Sequence, residues 1–202
     1  MRAALLALHY QNDVLHADGK IRVGIAADSP LRAGVIAAAQ SLLQAARERA
    51  IPIVHVRIAF RPDYADLLTN APIFRAVAAS AALQEGSWGA QFHDSLTPRE
   101  NDAREFVVTH KRVNAFYDSP LETVLRAIGA QHLIVAGVAT HSVVESTVRH
   151  AVDMGYEVAV AADACAAGSQ QAHAASLASM GLIATVCDAI AMRLQLDAVL
   201  RS

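Results

Sequence analysis

The sequence predicts an α/β fold: a three-layer sandwich with a roughly six-stranded parallel sheet. Three observations carry that prediction. Short apolar runs of strand length alternate with longer segments of helical period. The runs are apolar at consecutive positions, as strands covered on both faces require. Proline, serine and glycine punctuate them where helices should start and stop.

Residues Ala3 to Leu8 form the first strand, and the polar cluster His9-Tyr10-Gln11-Asn12-Asp13 follows at once. Ser29-Pro30 places a capping hydroxyl before a proline at the first helical position, so a helix is expected from Pro30 to Arg49. Ile53 to Ile58 is the second strand. More than forty residues then pass before the third, from Phe106 to Thr109. That connection holds Phe60-Arg61-Pro62-Asp63-Tyr64, a helix near Ile73 to Leu83, and Gly86-Ser87-Trp88-Gly89. Its length marks a functional segment or a subunit contact.

Ser119-Pro120 with Glu122 has capping-box spacing and opens a helix ending at Ile128, before Gly129. His132 to Ala136 is the fourth strand, followed by a helix from Val143 to Met154 that Gly155 stops. Glu157 to Ala161, a helix from Gln170 to Met180, Leu182 to Val186 and a helix from Asp188 to Leu200 complete the chain. The whole of residues 1–202 reads as one domain, long enough to bury its own core.

Composition narrows the function. Apolar residues make up 54% and charged residues 18%, which excludes disorder. A net charge of −2 offers no attraction to nucleic acid or an anionic membrane, and 5% aromatics supply few stacking platforms. The expected partner is a small molecule. Cys165 and Cys187 cannot form a disulfide framework, so a reducing, cytoplasmic setting is expected. No leader is expected in residues 1–8, because polar residues follow immediately. The stretch from Ala164 to Cys187 contains Ser169, Gln170, Gln171 and Ser176, too polar for a membrane span.

No Gly-x-Gly-x-x-Gly follows the first strand, no phosphate-binding loop occurs and no Gly-x-Ser-x-Gly elbow exists. No cofactor or metal is expected. The weak arrangement that would hold an ion is His9, His110 and Asp13. In open parallel sheets, ligands sit beyond the carboxyl ends of the strands. Three polar clusters fall there: His9 to Asp13, His110-Lys111-Arg112-Val113-Asn114, and Thr140-His141-Ser142. If the strands are neighbours, these face one crevice.

The same clusters resemble the isochorismatase-like (cysteine hydrolase) family over nearly the whole chain. Gly137-Val138-Ala139-Thr140-His141-Ser142-Val143-Val144-Glu145-Ser146-Thr147 is similar to the turn that presents that family's cysteine. Leu8-His9-Tyr10-Gln11-Asn12-Asp13 resembles its first strand end, where an Asp normally stands at the His9 position. His110-Lys111-Arg112-Val113-Asn114-Ala115-Phe116 resembles the segment that begins with its lysine. Phe60 to Tyr64, Ala162-Asp163-Ala164 and His173 match further family positions. The resemblance implies the Rossmann-like fold, a hydrolase activity and a homo-oligomer.

It also implies that the Asp/Lys/Cys triad is replaced, by His9, His110 and Val143. Valine has no lone pair with which to attack, so thiol catalysis at that position is chemically impossible. Neither Cys165 nor Cys187 matches it, and Cys165 reads as a small buried hydrophobe. Aligning Lys111 instead of His110 needs a deletion and turns the side chain to the other face of the strand, so Lys111 is expected to point away. Val138, Ala139, Thr140, Ser142, Trp88 and Phe116 are the expected substrate-binding residues. Thr140 and Ser142 are also expected to cap the next helix. Arg57 or Arg61 could clamp a carboxylate, with surface ion pairing as the plainer role.

Two readings stay open on the sequence. One is a family hydrolase acting on a small carboxylate or amide by a histidine- and water-based mechanism. The other is a catalytically inactive relative that binds a small ligand or serves as an oligomeric scaffold.

Overall fold

The computed structural model describes residues 2–192. Six strands lie parallel: β1 (Ala3–Leu8), β2 (Ile53–Ile58), β3 (Glu105–His110), β4 (His132–Gly137), β5 (Glu157–Ala161) and β6 (Thr185–Cys187). Their order across the sheet is β3-β2-β1-β4-β5-β6. The helices are α1 (Asn12–Leu15), α2 (Arg32–Glu48), α3 (Pro72–Ala79), α4 (Leu121–Ile128), α5 (Glu145–Asp153) and α6 (Gln170–Met180). A parallel sheet needs crossover connections, and these helices supply most of them. Every residue of β1 is buried, because the strand is central and covered on both faces.

The order reverses between β2-β1 and β1-β4, which opens a crevice at the carboxyl ends of β1 and β4. Leu8 is in register with Gly137 across that step. Gly137 is required there: a Cβ on it would stand 2.4 Å from the Leu8 carbonyl oxygen. No helix among the described residues is long and apolar enough to cross a membrane.

Several local expectations are corrected. The helix expected from Pro30 begins at Arg32, because Ser29 Oγ accepts the Leu31 N–H at 3.3 Å and closes a separate turn first. The capping box at Ser119 does not form. Ser119 Oγ accepts from the Leu121 N–H, while Glu122 turns outward to pair with Arg126. The helix expected to reach Leu83 ends at Ala79, since Ala81 and Leu83 take positive φ. The last strand starts at Thr185 rather than Leu182, because residues 182–184 close a turn on the Met180 carbonyl. The final expected helix begins at Ala189, and residues 193–200 lie outside the described residues.

The segment after β1 is held as a hub. Gln11 Oε1 accepts the Ile58 N–H at 2.8 Å, and its Nε2 donates to the carbonyls of Ile58 and Ala90, both at 2.9 Å. Asp13 Oδ2 accepts the Leu83 N–H at 2.7 Å and its Oδ1 the Lys20 N–H at 3.2 Å. Asn12 Nδ2 donates to the Trp88 carbonyl at 3.0 Å. Three consecutive polar side chains thus fasten the long connection between β2 and β3 onto the end of β1.

Gln11→Ala leaves three buried backbone groups without partners, each costing about 1–3 kcal/mol. The expected result is a stability loss of about 3 kcal/mol, read as a lower urea midpoint; a loss under about 1 kcal/mol would contradict the hub.

Candidate functional site

β2 lies between β1 and β3, so the strands bearing the two site histidines are not direct neighbours as the crevice argument assumed. The rings still meet. His9 follows β1 with φ of 56°, a left-handed turn that swings the chain out of the sheet just after its N–H has bonded the Val56 carbonyl. His110 closes β3 opposite Ile58, the last residue of β2. His9 Nε2 and His110 Nε2 are 2.5 Å apart, with ring centroids at 4.8 Å and planes at 30°. The rings therefore face each other nitrogen to nitrogen, and both are buried.

The tautomers follow from the partners. His110 Nδ1 lies 3.2 Å from the Asn114 carbonyl, which can only accept, so Nδ1 carries the proton. His110 Nε2 is then an acceptor, and His9 Nε2–H must be the donor to it. His9 Nδ1 keeps its lone pair and has no hydrogen-bond partner among the described residues.

Burial pulls the His9 pKa well below its ordinary value, and the neighbouring His110 ring adds to that. Burial lowers His110 to about 4, against a smaller upward pull from the Asn114 carbonyl. The pair is neutral at pH 7.

His9 forms part of the wall of a cavity of about 50 Å³. Ile21, Val23 and Gly24 line it from the loop after α1, and Ile73, Phe74 and Val77 from α3. Val138, Ala139 and Ser142 line it from the end of β4, where a cis peptide joins Val138 to Ala139. Arg112 completes the polar groups, and no carboxylate belongs to the wall.

Of the expected binding residues, Val138, Ala139 and Ser142 reach the cavity and three do not. Thr140 is drawn to α6, where its Oγ1 bonds His173 Nδ1 at 2.9 Å. Neither Thr140 nor Ser142 caps α5, since a π-helical turn over Thr140–Val144 precedes that helix. Phe116 stacks on His150 with centroids 4.8 Å apart, and Trp88 sits on the surface against His16. Val143 is buried in the core beside Ser142. The cavity lining contributed by α3 escaped sequence reasoning, because it depends on how the long connection folds back; Arg112 belonged to the polar cluster expected at the crevice but was given no role of its own.

Other chemistry is absent from the cavity. Lys111 points away from it, pairing with Asp66 and lying 5.9 Å from the Phe60 ring centroid. The Cys165 thiol is buried outside the wall, and burial pushes it up to about 12. Asp13 is committed to the Leu83 and Lys20 amides, so it does not join the histidines around an ion. Among the described residues, no three metal-ligating side chains converge.

A model of the isochorismatase domain matches residues 3–191. The chain belongs to the isochorismatase family. Over 99 residues this family member is 39% identical to ureidoacrylate amidohydrolase from Methylobacterium radiotolerans, a match covering 48% of the chain and 37% of that protein. It thus matches little more than a third of that relative's length. An isochorismatase family protein from Burkholderia thailandensis is 27% identical, with a TM-score of 0.79 over 96% of this chain and 95% of that one. A cysteine hydrolase from Pseudomonas syringae pv. phaseolicola shares the fold at 22% identity, with a TM-score of 0.85 over 98% and 93%.

The neutral pair makes stability depend on pH. Below about pH 6.5 the unfolded chain protonates its histidines while the folded chain does not, so the unfolded state binds more protons and stability falls. The urea midpoint should stay level in this respect above pH 6.5 and drop between pH 6.5 and 5, with His110 contributing about 1–2 kcal/mol. His110→Asn should lose that share of the slope; an unchanged slope would mean His110 is protonated in the folded chain.

Proposed function

We propose that the protein is a hydrolase of small substrates with an amide or carbamoyl bond, in which water attacks and the His9–His110 pair moves the proton. The observation that carries this reading is the nitrogen-to-nitrogen contact between His9 in the cavity wall and His110 behind it, with His110 held at its far side by Asn114. A base oriented by a second group, itself oriented by a third, is the arrangement general-base catalysis needs.

The proton path balances. Water bonds to the substrate carbonyl carbon as one of its protons passes to His9 Nδ1. The His9 Nε2 proton moves to His110 Nε2, which spreads the charge towards the Asn114 carbonyl. Reversal of the relay returns a proton to the departing nitrogen as the carbon–nitrogen bond breaks. No covalent intermediate forms, consistent with valine at position 143 and with Cys165 outside the cavity. Ser142 supplies a hydroxyl that can hold the substrate carbonyl. The named activity of the Methylobacterium relative, an amidohydrolase, supports the same bond class.

A second reading, a ligand-binding protein without turnover, is favoured by one observation. Burial lowers both histidines, so a proton taken from water is held weakly.

Purified protein should be assayed on ureidoacrylate and other acyclic carbamoyl compounds, with isochorismate and nicotinamide as ring-bearing comparisons. The acyclic compounds should turn over, and His9→Ala and His110→Ala should each lower kcat about 100-fold or more. An unchanged rate in His9→Ala would overturn the mechanism, and no turnover of any compound would favour the second reading.

A further inference from the structure

Arg112 stands in the cavity wall as its one formally charged residue, and nothing in the wall opposes it. Its guanidinium carbon lies 4.1 Å from the centroid of the Phe74 ring, itself part of the wall. Nη1 donates to the Leu68 carbonyl at 3.2 Å and Nη2 to Asn70 Oδ1 at 2.9 Å. These two neutral acceptors and the ring fix the plane of the fork without neutralising it. Among the described residues Arg112 has no carboxylate partner, and its Nε–H and one hydrogen on each Nη remain undonated.

The other arginines once considered as clamps are already occupied. Arg61 meets Asp63 through two bonds of 2.9 and 2.7 Å, and Arg57 meets Glu85 at 3.0 Å and Thr109 at 2.8 Å. Lys111, next in sequence to Arg112, is paired with Asp66.

We infer that Arg112 anchors a carboxylate, so that the ligand of this cavity is a small monocarboxylate. A rigid fork with free donors matches the two oxygens of a carboxylate. The apolar side chains of α3 and β4 accept the short body of such a molecule, and its far end reaches His9. No second cation stands in the wall to meet another carboxylate, which favours a ligand with one. The inference rests on this cavity being the substrate site of the proposed hydrolase, and it specifies the class of that substrate.

The test reads binding without turnover, so it is independent of the histidine mechanism. Butanoate and its uncharged counterpart 2-pentanone are titrated into the protein at pH 7 and followed by NMR chemical shifts. Neither contains a bond the enzyme could hydrolyse. Butanoate should bind at least tenfold more tightly than 2-pentanone. Arg112→Gln should bring the ratio near one, and Arg112→Lys should keep part of it, with thermal melts confirming that both variants fold. His9→Ala should retain the preference, which separates a failure of the relay from a failure of the anchor. Equal binding of the two probes, no binding of either, or a preference that survives in Arg112→Gln would overturn the inference.

Discussion

The contact between His9 and His110 is the constraint on which the geometry of this site and the chemistry proposed for it depend. Two imidazoles at 2.5 Å tolerate one proton between them, not two. Asn114 decides where the outer proton sits, because its carbonyl can only accept. Everything else about the site follows from keeping that pair neutral and aligned: the apolar cavity wall, the hub of Gln11, Asn12 and Asp13, and the left-handed turn at His9. The hub in particular keeps the long connection pressed over the end of β1, so the rings stay out of water.

The protein keeps the scaffold of the isochorismatase family while its resemblance to the cysteine hydrolases places other side chains at the triad positions. The aliphatic Val143 packs in the core where that resemblance aligns a nucleophile, and the lysine nearest the site, Lys111, is spent on Asp66. What remains in the wall is one imidazole, His9, backed by His110, with a hydroxyl and an arginine. That inventory suits proton movement and anion binding, and it does not suit acyl-enzyme chemistry.

Sheet and helices were legible where local rules decide them. The bounds of β1, β2 and β5 agree with the reading from apolar runs, because most of their side chains are buried as the pattern encodes, and those of α6 agree although it buries only Ser176 and Met180, because Ser169 caps its first turn. Legibility failed where a side chain had a better partner far away. Thr140 prefers His173 to a helix cap, and Glu122 prefers Arg126 to the Ser119 amide. The early stop of α3 was hidden because the amide at Leu83 is claimed by Asp13, seventy residues earlier. His9 and His110, 101 positions apart, were brought to one crevice by the rule that ligands sit at the carboxyl ends of parallel strands, and the family resemblance singled them out within their clusters. Arg112 was read within the polar cluster after β3 without a role of its own, because its aromatic shelf, Phe74, comes from a connection whose path the sequence does not specify.

The most direct measurement is the protonation state of the two rings. Nitrogen-15 NMR of the histidine side chains, recorded from pH 8 to pH 5, reports the tautomer and charge of each imidazole. The account predicts His110 protonated on Nδ1 and His9 on Nε2, with both rings uncharged at pH 6.5. An imidazolium on either ring at that pH, or His110 carrying its proton on Nε2, would contradict it.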